Sequence, residues 1–178
     1  DGLDIIDVSN PASPSLTATY DTSEKAYGVT LSADGNTAFV ADNLDGLDII
    51  DVSNLSSPSL TGNYDTPHSA QKVTLSPDGN TAFVADGISG LQIIDASNPA
   101  SPSLTATYGT YGTLNVVSVT LSADGNTAFV ADLEDGIDII DVSNLSSPSL
   151  TGTYDTSGSA YDVILSADGN TAFVADYS

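Results

Sequence analysis

Residues 26–53, AYGVTLSADGNTAFVADNLDGLDIIDVS, contain the pattern that decides the fold. Two runs rich in β-branched and aromatic residues, 26–32 and 36–42, flank the tight turn SADG, whose Gly favours a positive φ. A third run, 46–53, is rich in Ile and Val, and segment 15–22 alternates Leu, Ala and Tyr with Thr. We therefore predict four short antiparallel strands per unit, named A, B, C and D in the order of these four runs. No segment shows the 3.6-residue apolar period of an amphipathic helix.

The same pattern fills the chain four times. The motif DGLDIIDVSN begins at Asp1 and again at Asp45, and close variants of it begin at Ser89 and Asp135. Four strands in about 44 residues is the period of a β-propeller blade, so we predict an all-β propeller that forms a single domain over 1–178. The repeats are 1–44, 45–88, 89–134 and 135–178.

The phase of the repeats predicts how the blades close. The chain begins with strands C and D and ends with strands A and B, so the first C–D pair can complete the last A–B pair. We expect a closed ring of four four-stranded antiparallel blades. The alternative is half of an eight-bladed ring, completed by a second chain or by a longer parent protein.

Two stretches resemble known repeat families. The segment SPDGNTAFVAD at 76–86 is similar to the hairpin of YVTN-type bacterial and archaeal surface propellers. The whole unit, GLDIIDVSNPASPSLTATYDT followed by AYGVTLSADGNTAFVAD, resembles the LVIVP repeat. This resemblance implies a propeller that is extracellular or attached to a cell surface, and it provides no catalytic residues to transfer.

Charge excludes several classes of partner. Among 178 residues there are 24 Asp and Glu but only 2 Lys and Arg, and the formal net charge is −22. Such a chain would repel nucleic acid and anionic membranes, so we expect neither as a partner. The absence of Cys excludes disulfides and thiolate metal sites. Strong acidity without thiols favours an extracellular or cell-surface location.

The repeats differ from one another mainly on one predicted face. The D–A connections and the tips of the B–C loops vary, whereas the A–B turns and C–D loops hardly change. A recognition surface and neutral drift of tolerant loops both account for this difference. In a four-bladed ring Lys72 and Asp162 would start the inner strands of opposite blades, where they could bracket a small ligand or pair through water. The candidate partner-binding residues are Glu24, Lys25, Tyr27, His68, Gln71, Lys72, Tyr111, Asn115, Tyr161 and Asp162.

Carboxylates recur at a spacing that could hold a hard cation. Converging carboxylates from adjacent loops suit Ca²⁺, although a solvated acidic rim would have the same sequence. We expect no required cofactor and treat Ca²⁺ as a possible ligand. The candidate metal ligands are Asp42, Asp45 and Asp48, and Asp132, Asp135 and Asp138. The Asp residues that end strand C or occupy the A–B turns should instead cap backbone N–H groups, and they are Asp7, Asp51, Asp95, Asp141, Asp34, Asp78, Asp124 and Asp168.

Besides a linker set of blades within a large multidomain protein, with no ligand of its own, two functions follow from these observations. The first is a non-catalytic extracellular module, a scaffold or a protein- or glycan-binding element of a surface or fibre-forming protein, whose partners include copies of itself. The second is a cation-dependent hydrolase or lactonase with a carboxylate-lined central site. The chain has a single His and no Cys or Arg, which leaves few options for a nucleophile and its base. We therefore expect the first function.

Overall fold

A computed structural model describes residues 2–109 and 115–177, and within these ranges it is an all-β structure of sixteen strands. Every pair of neighbouring strands is antiparallel. The described ranges contain no helix with the length and apolar character needed to cross a bilayer. The strands are β1 (Gly2–Asp7), β2 (Ser15–Asp21), β3 (Gly28–Leu31), β4 (Thr37–Ala41), β5 (Leu47–Asp51), β6 (Ser59–Tyr64), β7 (Lys72–Leu75), β8 (Thr81–Ala85), β9 (Leu91–Asp95), β10 (Ser103–Tyr108), β11 (Val116–Leu121), β12 (Thr127–Asp132), β13 (Gly136–Asp141), β14 (Ser149–Tyr154), β15 (Ser159–Leu165) and β16 (Ala172–Tyr177).

These strands form three complete blades and two half-blades. Blade 1 is β3–β6, blade 2 is β7–β10 and blade 3 is β11–β14, each with its strands in sequence order. The first half-blade, β1–β2, contains only strands C and D, and the last half-blade, β15–β16, contains only strands A and B. The predicted strands, their antiparallel order and the repeat organisation of a propeller are therefore confirmed.

The strand pairing that was expected to close a four-bladed ring is absent from the described residues. The sheets β1–β2 and β15–β16 are separate, and neither contains a strand of the other. The position at which the repeats begin makes the two half-blades complementary. Whether the half-blades meet depends on the angle between successive blades, and that angle is set by side-chain packing. The expected proximity of Asp1 and Ser178 concerns residues that lie outside the described ranges.

Apolar side chains between successive blades form the core. Between blades 1 and 2, the buried residues Phe39, Leu47 and Ile49 pack with Val73 and Ala82. An equivalent cluster lies between blades 2 and 3, and smaller clusters join each half-blade to its neighbour. The sheet faces between successive blades are thus covered, as the alternating apolar pattern of the strands requires.

The Asp residues at strand ends and turns cap the backbone as expected. Asp7 Oδ1 accepts a hydrogen bond of 2.8 Å from the Ser9 N–H. Hydrogen bonds from the backbone and the side chain of Ser9 lower the pKa of the Asp7 carboxyl. In the first A–B turn, Asp34 accepts from Ser32 Oγ at 2.6 Å and from the Asn36 N–H at 3.1 Å. The same contacts recur in the equivalent turns of the other repeats. These carboxylates are therefore structural.

Candidate functional site

The structure brings the variable loops together along one face. The B–C loop of one blade meets the D–A segment that enters the next blade. The Ala70 N–H donates to the Asn43 carbonyl at 2.9 Å, and the Gly87 N–H donates to the Val116 carbonyl at 3.0 Å. The two variable sets of loops therefore form one continuous surface across the blade boundaries.

Buried carboxylates clamp this surface at the first two blade boundaries. Asp42 accepts hydrogen bonds from Thr22 Oγ1 at 2.7 Å and from the Glu24 N–H at 2.9 Å. Asp86 repeats this arrangement with Thr66 Oγ1 at 2.7 Å and the His68 N–H at 3.1 Å. This clamping role was not predicted, although the recurring Tyr-Asp-Thr at the end of strand D is a sequence signal for it. Each clamp fixes a D–A segment to the end of strand B in the blade that the segment enters.

One group of carboxylates converges in blade 1. Asp42, Asp45 and Asp48 each place a carboxylate oxygen within 4.8 Å of the other two. Asp42 and Asp48 are buried, with 0% and 3% of their surfaces exposed, and Asp45 is half-buried. Burial, together with the negative charges of Asp42 and Asp45, raises the pKa of Asp48 to about 6. The cluster therefore holds concentrated negative charge that is largely removed from water.

The second predicted set, Asp132, Asp135 and Asp138, does not converge in this way within the described residues. Asp135 is exposed, and Asp132 Oδ1 accepts from the N–H groups of Asn115 and Glu134, both at 3.3 Å. Asp138 is buried, and burial together with the charges of Asp132 and Asp135 raises its pKa to about 6. A matching metal site in blade 3 therefore stays a prediction. Identical spacing and loop length do not fix how each loop turns its carboxylates.

A polar cluster joins the inner strands of three successive repeats. Lys72 Nζ lies 2.5 Å from Asp162 Oδ1 and 3.2 Å from Ser118 Oγ, and Ser118 Oγ donates to Asp162 Oδ1 at 2.6 Å. Burial alone would raise the pKa of Asp162, but the bonds from Lys72 and Ser118 outweigh burial and lower it. Lys72 and Asp162 thus form a direct ion pair that leaves no gap for a ligand or bridging water.

The other candidate partner-binding residues are spread along the arc, the row of three blades and two half-blades. Tyr27 and Tyr161 are about half exposed, and Tyr161 packs edge-on against Tyr177 with ring centroids 6.4 Å apart. Gln71 Nε2 is bonded to Ser69 Oγ at 2.7 Å. Because these residues belong to different blades, they do not form one pocket. Glu24 and Lys25 are exposed, His68 and Asn115 are half-buried, and Tyr111 lies outside the described residues.

Comparison with known proteins places these features in a family and a fold. A family model described as LVIVD repeat matches residues 1–22, 26–66, 68–110 and 117–156. The repeat motif therefore ends in Asp, and the expected name LVIVP was wrong in its last letter. No curated protein sequence matches this chain.

Three solved structures share the fold at low sequence identity. A protein of unknown function from Desulfotomaculum acetoxidans is 21% identical, with a TM-score of 0.79, over 97% of this chain and 55% of that one. The β-propeller domain of Myceliophteria thermophila Cps50 (Swd1) is 13% identical, with a TM-score of 0.73, over 92% and 55%. Hydrazine synthase from Kuenenia stuttgartiensis is 20% identical, with a TM-score of 0.73, over 87% and 43%. The chain thus spans about half the length of the solved structures it matches.

Proposed function

The chain belongs to the LVIVD repeat family, and from this premise we propose that it is a non-catalytic, extracellular scaffold module that assembles with a second copy of itself. The observation that carries this proposal is the pair of half-blades at the two ends of the arc. Each half-blade has the two strands that the other lacks. A second copy would complete both blades, with β16 of each copy pairing with β1 of the other.

Residues at the first end are exposed where their equivalents in complete blades are buried. Ile6 is 52% exposed, whereas Ile50, at the same position of the next repeat, is 0% exposed. Val29 is 55% exposed, whereas Val73 is 3% exposed. By the packing of their equivalents, the missing strand B of the first half-blade would cover Val29, and the blade preceding that half-blade in a ring would cover Ile6. Exposed apolar surface of this kind favours association, because burying it is worth about 25 cal/mol per Å².

The last half-blade offers the residues that the first end lacks. In the complete core between blades 1 and 2, Phe39 and Ala41 belong to the apolar cluster. The corresponding cluster at the first end has no side chains at those two positions among its described members. Their repeat equivalents are Phe173, which is 57% exposed, and Ala175. The register of blade 1 would place Phe173 opposite Ile5 of a second copy.

The arc length favours a second copy over closure within one chain. The two half-blades of one chain are separate sheets in this structure. The chain also covers 43% to 55% of three solved structures that it matches with TM-scores of 0.73 to 0.79, which supports a complete fold about twice as long as one arc. Such an assembly would be a two-fold symmetric exchange of half-blades.

The starts of the inner strands support a non-catalytic role. These positions are Gly28, Lys72, Ser118 and Asp162, and a hydrolase with a carboxylate-lined centre would need several acidic groups there. Within the described residues only Asp162 supplies a carboxylate, and it is already bonded to Lys72 and Ser118. We therefore place ligand recognition, of a protein or a glycan, on the variable face formed by the B–C and D–A loops.

Cysteine cross-linking tests the proposed assembly, because the natural chain has no Cys. By the register of blade 1, Thr171 of one copy should lie opposite Asp7 of the other. Directly opposed strand residues are close enough for a disulfide. We expect an oxidised mixture of the single variants Asp7→Cys and Thr171→Cys to form a covalent heterodimer of twice the 18.0 kDa chain mass.

A matched pair within blade 1 serves as the geometric control. Thr37 lies opposite Asp51 inside one chain, so the Thr37→Cys/Asp51→Cys variant should form an intramolecular disulfide. Light scattering should also show that the unmodified chain is a dimer. A monomer in which Asp7→Cys/Thr171→Cys cross-links only within one chain would contradict the second-copy proposal and favour the four-bladed ring. A monomer with no cross-link at all would show that the half-blades do not pair.

A further inference from the structure

An unpartnered oxygen distinguishes the carboxylate cluster of blade 1. Asp48 is 3% exposed, and its Oδ1 atom is buried without a hydrogen-bond partner. The same residue belongs to the group in which Asp42, Asp45 and Asp48 each bring a carboxylate oxygen within 4.8 Å of the other two. A buried carboxylate oxygen without a partner is costly, so the site lacks a group that would satisfy it.

Two other repeats show how this oxygen can be satisfied. Strand D places a Thr opposite the equivalent position of strand C. Thr19 Oγ1 donates to Asp4 Oδ1 at 2.7 Å, and Thr107 Oγ1 donates to Gln92 Oε1 at 2.8 Å. In blade 1 the residue opposite Asp48 is Asn63, and the structure gives no hydrogen bond between them. Because Asn63 makes no such bond, Asp48 Oδ1 stays unpartnered.

Blade 2 shows the same loop without the cluster. Its equivalents of Asp45 and Asp48 are Ser89 and Gln92, and Gln92 Nε2 donates to the Ser89 carbonyl at 2.9 Å. The neutral amide makes internal bonds at both of its polar atoms. The fold therefore accepts a self-contained neutral arrangement at this position, whereas blade 1 has three carboxylates and an unsatisfied oxygen.

From this contrast we infer that Asp42, Asp45 and Asp48 bind a Ca²⁺ ion. Three carboxylates supply up to six oxygens, and Ca²⁺ takes six to eight oxygen ligands in flexible geometry. Asp42 already accepts one bond at each oxygen, from Thr22 Oγ1 and the Glu24 N–H, which fixes its orientation and leaves lone pairs for an ion. Mg²⁺ fits less well, because it demands near-ideal octahedral geometry and keeps most of its water. The site would also tie the first half-blade to blade 1 through these two bonds.

Calcium titration of the metal-stripped chain tests the site. We expect calorimetry to show one Ca²⁺ ion bound per chain above the diffuse background, with a dissociation constant of about 10⁻⁴ to 10⁻³ M, as in extracellular modules. Asp48→Asn should weaken this binding at least tenfold. The matched control is Asp138→Asn, the equivalent change in blade 3, which removes the same charge from the chain and should leave the affinity unchanged.

A second variant keeps the test decisive if Asp48→Asn folds poorly. The double change Asp45→Ser/Asp48→Gln copies blade 2, an arrangement that the fold already accepts. It should abolish both the Ca²⁺ binding and the rise in melting temperature that Ca²⁺ gives the natural chain. The proposal is overturned if the natural chain shows no stoichiometric binding. It is equally overturned if Asp48→Asn and Asp138→Asn lower the affinity by the same factor, since the binding would then be diffuse.

Discussion

The buried carboxyl of Asp138 should make the stability of this protein fall as pH rises above about 5. Burial, with the nearby charges of Asp132 and Asp135, raises its pKa from the ordinary 3.8 to about 6. Because the folded pKa is above the unfolded one, the folded state prefers the protonated carboxyl. The contribution to stability is therefore full below about pH 3.8 and is lost as pH rises through about 6.

The size of this effect follows from the two pKa values. A gap of about two units corresponds to about 3 kcal/mol between the fully protonated and fully ionised limits. Between about pH 5 and about pH 8 this one carboxyl accounts for roughly 1 kcal/mol. The Asn side chain of Asp138→Asn is uncharged at every pH, so the variant should lose this part of the pH dependence.

Urea unfolding in the presence of a chelator, at several pH values over this range, measures the difference. The control is Asp4→Asn, because Asp4 occupies the same repeat position but is exposed and accepts a hydrogen bond from Thr19. Asp138→Asn should gain stability relative to the natural chain as pH rises, and Asp4→Asn should not. If the unfolding free energies of the natural chain and Asp138→Asn stay parallel from about pH 5 to about pH 8, the reasoning is refuted.

Two further substitutions test contacts that hold the arc together. Lys72→Met removes the cation of the inner-strand ion pair and should lower the unfolding free energy by about 1 kcal/mol, since both partners are partly exposed. The exposed Lys25→Met should leave it unchanged in the same denaturant titration. Gly136→Ala should lower the melting temperature by several degrees, because φ is +82° and an added Cβ would lie 2.3 Å from a backbone carbonyl oxygen. Gly152→Ala, which meets nothing within 4 Å, should melt close to the natural chain, and equal melting of the two variants would contradict the argument.

The sequence alone determined the repeating unit and much of its local chemistry. Strand order follows from two-residue alternation and from Asp-Gly turns, which are properties of adjacent residues. The capping role of residues such as Asp7 and Asp34 could also be predicted, since each carboxylate bonds the backbone within two residues. The order of strands A to D also predicted the variable face, because that order determines at which end of a blade each loop lies.

Tertiary structure decided what depends on the packing of one blade against another. The repeats have nearly identical sequences at the two carboxylate sets, yet only Asp42, Asp45 and Asp48 converge among the described residues. The direct contact of Lys72 with Asp162 spans three inner strands and depends on how tightly the blades curve. Ring closure depends on the same curvature. The angle between stacked sheets results from the packing of many side chains at once, and a repeat pattern read along the chain carries no measure of it.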